Sequence, residues 1–100
     1  MTQSERSLCQ QWIASYIAPG KYINHMHGEI GLRMMMQTDT NVTVVPSEFR
    51  ELMLEAGYEP ANPLSHEWEF RITSKLLRLR PTSRVGGWTA AKTDYLWRRA

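Results

Sequence analysis

Five basic residues, Arg71, Lys75, Arg78, Arg80 and Arg84, fall within fourteen positions. Trp88, Lys92, Tyr95, Trp97, Arg98 and Arg99 follow. Guanidinium and ammonium groups neutralise phosphates and give binding that weakens with salt. Interleaved aromatic rings either stack on bases or bury against the domain that carries them. Residues 71–100 hold eight basic groups against Asp94, a balance of +7, whereas residues 1–70 hold four basic and nine acidic groups, a balance of −5. The formal net charge of +2 conceals this division. It points to an anionic partner for the last third of the chain. The alternative is a basic face folded back on the acidic part.

Other chemistries find less support. His25-Met26-His27 with Glu29 invites a metal ion if the segment is a strand, because both rings then share a face. On a helix, positions i and i+2 point apart. Cys9 and His66 have no partner at a metal-ligand spacing, and no metal or other cofactor is expected. Asn24 and His27 are expected to brace a helix start by hydrogen bonding. Cys9 lies beside Gln10 and Gln11, which reads as a structural or surface thiol rather than a nucleophile. Glu48, Glu51 and Glu55 form a ridge on a helix, not a pair of carboxylates in a cleft. Val85-Gly86-Gly87-Trp88 lacks the lysine of a phosphate-binding loop. No catalytic residue emerges, and an enzyme is not expected.

The elements that would carry these residues follow from periodicity. Leu8, Trp12 and Tyr16, with Ile13 and Ile17, form a helical stripe that Ser4 is placed to cap and Pro19-Gly20 to end. A second helix is expected over about 27–37, with Ile30, Met34 and Gln37 or Thr38 on one side and Gly31 and Met35 beside it. At least two of Met34, Met35 and Met36 are expected to fill the core, and Gly31 to allow another element close. Val42–Val45 is β-branched and predicts a strand. Pro46-Ser47 opens a third helix, with Ser47 as its cap, whose Phe49, Leu52, Met53 and Ala56 form one apolar face, and Gly57 is suited to close it. Glu67 to Ile72 alternates, which predicts a strand with Trp68, Phe70 and Ile72 inward.

At 100 residues the chain is one small domain's worth. The expected fold class is α+β: a small winged-helix-like domain, three helices with a small antiparallel sheet, over residues 1–74. A basic aromatic extension, 75–100, packs on it or flanks it. No run of roughly 20 apolar residues is present to span a bilayer. The start MTQSERSLCQQW has no apolar region of the secretory kind. With a single cysteine, these features suit the cytoplasm of a bacterial host.

Residues 12–74 resemble a small domain family, without an assigned activity, found in phages, prophages and other mobile elements. The resemblance is carried by Trp12-Ile13, Asn24-x-x-His27, Gly31-Leu32-Arg33, Val45-Pro46-Ser47-x-Phe49, Met53, Ala56-Gly57-Tyr58 and Phe70-Arg71-Ile72-Thr73. Gly28-Glu29-Ile30 stands where that family carries Thr-Ser-Tyr. The resemblance implies a mobile-element context more than a mechanism. The functional expectation is a small regulatory protein that binds nucleic acid through Arg71, Lys75, Arg78, Arg80, Arg84, Trp88, Lys92, Trp97, Arg98 and Arg99. The alternative is a protein-binding inhibitor of a phage or host protein, of the antirepressor or anti-defence (anti-CRISPR) type. An acidic face with a basic tail also suits a homodimer.

Overall fold

The first helix begins directly after Thr2. The Thr2 hydroxyl accepts from the Glu5 N–H, and the Glu5 carboxylate accepts from the Thr2 N–H. This reciprocal cap satisfies two of the orphan donors at the helix start, so Thr2, not Ser4, is the cap. The computed structural model describes residues 1–81. They form α1 (Gln3–Tyr16), α2 (Glu29–Thr40), α3 (Pro46–Glu55) and a single 3₁₀ turn, Leu77–Leu79. Among the described residues no helix is long and apolar enough to cross a membrane.

The three helices share one core. α1 supplies Cys9, Trp12 and Ile13; Leu8, expected inside, is exposed. α2 supplies Leu32 and Met36, with Met35 half-buried, whereas Ile30 and Met34, grouped on one side of the helix, are exposed. α3 supplies Phe49, Leu52 and Met53 as its period demands. Its fourth expected core residue, Ala56, is exposed. Full burial of a side chain such as Phe49 or Leu52 stabilises by about 1.5–3 kcal/mol.

The helix ends are closed in different ways. α2 ends on Asn41 in the left-handed region, φ 59°. Pro46 opens α3 after Val45, where the missing proline N–H costs no helical bond; the Glu48 carboxylate takes the Val45 N–H at 3.1 Å. At the other end Gly57 adopts φ 94°. Its N–H reaches the Leu54 carbonyl, and the Tyr58 N–H reaches that of Met53, the paired bonds of a Schellman closure. The Tyr58 hydroxyl then donates to the Ile17 carbonyl, tying the ends of α3 and α1 together.

The expected α+β class and its winged-helix-like sheet are overturned: the described residues hold three α-helices and no β-strand. The only strand-like pairing among them is a single antiparallel bridge, Pro19 to Ile72. The physical reasons are local. Val42–Val45 is met by side chains of α2 and α3, not by a partner strand. The Val44 N–H donates to Gln37 Oε1 at 2.7 Å, and the Val44 carbonyl accepts from Arg33 Nη1 at 2.9 Å. In residues 68–73 the inward alternation is kept, with Phe70 and Ile72 buried and Trp68 packed against the core. Its backbone partners come from four places: Gly20 and Ala18, Asn24, Glu29 and Ala61. Pro19 has no N–H to extend a ladder.

Leu77 and Arg80 belong to the segment expected to form the extension, and both pack into this body. Gly31, expected beside a close neighbour, has nothing within 4 Å of where a Cβ would stand. The close approach is instead at Gly20, where a Cβ would meet the Ile72 carbonyl carbon at 2.7 Å.

Candidate nucleic-acid interface

Asn24 organises the loop between α1 and α2. Its amide nitrogen donates to Ser74 Oγ at 2.9 Å and to the Ile72 carbonyl at 3.3 Å. Its carbonyl oxygen accepts from the N–H groups of Met26 and His27 at 3.0 and 2.9 Å. Thus one side chain fixes the loop turn and clamps it to the segment that leads into the basic region. The bracing of the α2 start expected of Asn24 and His27 is not formed: Asn24 serves the loop and residues 72–74, and α2 has no side-chain cap. The N-terminal donors of α2 are met differently: the Glu29 N–H reaches the Trp68 carbonyl.

Between this loop and residues 72–74 lies an open hollow of about 350 Å³. Lys21, Tyr22, His25 and Met26 line one side, and Ile72, Thr73 and Ser74 the other. The Lys21 ammonium stands 5.9 Å from the centroid of the Tyr22 ring. His25 Nδ1 is 3.0 Å from the Glu69 carboxylate.

The basic residues singled out in the sequence are distributed unevenly. Arg71, Lys75 and Arg78 are exposed. Arg71 lines a second hollow of about 300 Å³ with Pro19, Gly57, Tyr58 and Glu59. Arg78 and Arg80 line a smaller one of about 130 Å³ with His27, Met35 and Leu77. Lys75 lines none of these. Among the described residues neither Arg71 nor Lys75 forms an ion pair. Arg80 is buried, its Nε 2.6 Å and its Nη2 3.0 Å from the two carboxylate oxygens of Asp39. That geometry makes it a structural residue of the body. Arg84, Trp88, Lys92, Trp97, Arg98 and Arg99 lie outside the described residues.

The acidic half is organised too. Arg6 bridges Glu51 and Glu55 across α1 and α3. Glu29 is buried on α2 and takes Arg50 in a two-point ion pair at 2.7 and 2.8 Å. It also accepts the Trp68 N–H at 2.9 Å. Arg50 continues to the His66 carbonyl and lies 4.4 Å over the Trp68 ring. Burial pushes the Glu29 carboxyl up, but the bonds from Arg50 and Trp68 outweigh it and hold it below the usual carboxylate range. Burial, and the nearby charges of Arg80 and Arg78, lower the pKa of His27. Burial raises that of the Cys9 thiol, which opposes the thiolate a nucleophile requires.

Among the described residues no group of three His, Cys, Asp or Glu side chains is placed to hold a metal ion. Sequence reasoning passed over Tyr22; its signal was an aromatic next to a lysine in the Gly-Lys-Tyr turn between two helices. It also passed over Asp39 as the partner of Arg80, 41 positions away. The chain matches no protein-family model, no curated protein and no solved structure.

Proposed function

We propose that this protein is a small regulatory protein of the phage or prophage type that binds nucleic acid through Arg71, Lys75, Arg78 and the basic residues that follow them. One observation carries the reading. Several of the body's acidic groups are paired within it, with Glu29 on Arg50, Asp39 on Arg80, and Glu51 and Glu55 on Arg6. Arg71, Lys75 and Arg78 are meanwhile exposed where the chain enters its most basic part. Such a distribution favours a polyanion at that end of the body. Arg80 is left out of the binding set because Asp39 holds it. The test is a titration with nucleic acid, duplex and single-stranded, across a salt series. Binding at about 50 mM salt that falls steeply as salt rises supports the reading. No binding, or a flat salt response, refutes it.

A second reading, a protein partner, is favoured by a different observation. Ile30 and Met34 lie one helical turn apart on α2 with more than half of each exposed. Under that reading a stoichiometric protein is recovered from a host lysate and survives nuclease treatment.

A further inference from the structure

We infer that the hollow between the 20–26 loop and residues 72–74 receives an unpaired nucleobase, stacked on Tyr22, so that the nucleic acid bound is single-stranded. The inference rests on the nucleic-acid reading above and specifies the strand state and the contact. Tyr22 is 74% exposed, although a tyrosine ring carries a large apolar surface. The ring is not a stray surface residue on a loose turn: its loop is clamped by Asn24 to Ile72 and Ser74. Gly20, against the backbone of Ile72 and Thr73, fixes the other end. A stacking platform needs this pre-ordering, because binding then orders little else.

The surroundings fit a nucleotide. None of the residues lining the hollow is acidic. The Lys21 ammonium lies over one face of the ring, 5.9 Å from its centroid; with a base stacked on the other face it is near enough to meet the phosphate of that nucleotide. Lys75, exposed, follows Ser74 directly. Ser74 Oγ already accepts from Asn24, which leaves its O–H proton to donate. The volume, about 350 Å³, is at the small end of the range for ligand pockets, about 300–1,000 Å³. In a duplex the base faces are stacked on one another and cannot reach such a ring. In a single strand they can, and stacking tolerates any base.

The experiment uses the full chain and two fluorescein-labelled probes, an oligo-dT of about 12 nucleotides and a hairpin duplex of similar charge, read by anisotropy. The single strand is expected to bind more tightly than the hairpin. Tyr22→Ala is expected to weaken the single strand about five- to hundredfold, and Tyr22→Phe to keep the wild-type affinity. Tyr22 is exposed, so both variants should melt as the wild type does, and the melts are recorded alongside. If the wild type binds the single strand and Tyr22→Ala binds it equally well, this inference falls and the nucleic-acid reading stands. A hairpin bound more tightly than the single strand has the same consequence. If the wild type binds neither probe, the nucleic-acid reading falls and takes this inference with it.

Discussion

Arg80 reaches back 41 positions to hold Asp39 by both carboxylate oxygens, at 2.6 and 3.0 Å. Asp39 Oδ2 also accepts the indole N–H of Trp12 at 2.8 Å. One carboxylate at the end of α2 therefore joins α1 to the segment leading out of the body. With Arg80 removed, a carboxylate with only 7% of its side chain exposed loses its two-point ion pair. Arg80→Ala is expected to destabilise the fold by about 3–5 kcal/mol in chemical denaturation. Arg80→Ala and Asp39→Asn together should cost clearly less than the sum of the two single changes.

Gly20 and Gly31 give opposite expectations for the same substitution. At Gly20 a Cβ would stand 2.7 Å from the Ile72 carbonyl carbon and 3.0 Å from the Thr73 nitrogen, both backbone atoms. Gly20→Ala should cost about 1–3 kcal/mol. At Gly31, inside α2, a Cβ meets nothing within 4 Å. Gly31→Ala should stabilise by about 1 kcal/mol. Thermal melts of the two variants check both signs.

Gln37 stands in for a strand. Its side-chain carbonyl accepts the N–H of Val44, a residue with no exposed surface. Gln37→Ala leaves that donor unpaired and should cost about 1–3 kcal/mol. Amide exchange at Val44 should accelerate more than exchange in α1.

Acid should weaken the fold in two stages. His27 has a lowered pKa in the folded chain, so the unfolded chain binds its proton more readily. Stability is then lost as pH falls through the ordinary imidazole range, near about 6.5. Glu29 also has a lowered folded value. Its contribution is present above the ordinary carboxylate range and is lost as pH falls through that range toward the lower folded value. Denaturation of His27→Gln should lack the first loss and that of Glu29→Gln the second. Glu29→Gln should in addition cost about 1.5–3 kcal/mol near neutral pH, from the weakened bonds to Arg50 and Trp68.

What could be read in the sequence depended on how local its cause was. The face of α3 was legible because Phe49, Leu52 and Met53 recur at the helical period, and Gly57 was legible as its end. The face of α2 was not. Ile30, Leu32, Met34, Met35 and Met36 surround the helix with apolar side chains, so periodicity left more than one inward face open. On the observed face Glu29 is buried with Leu32 and Met36, and its carboxylate is held by Arg50, 21 positions away. The inward side of 68–72 was legible from its alternation, but its pairing was not. Alternation reports which side chains face the core and says nothing about where the backbone finds its donors. For the candidate site, Lys75 and Arg71 were legible as exposed charges. Arg80 was not separable from them, because its distinction is made by Asp39.

Residues 68–71 present four consecutive carbonyls, and each is already occupied: by the N–H of Glu29, of Ala61, of Asn24 and of Gly20. An extended apolar stretch with free acceptors would be a template on which a second chain could add a strand. Here those acceptors have been taken by irregular parts of the same chain, a partial seal against edge-to-edge growth. A protein that concentrates along a polyanion would gain from that seal, because crowding of copies on one strand raises the rate of every unwanted pairing.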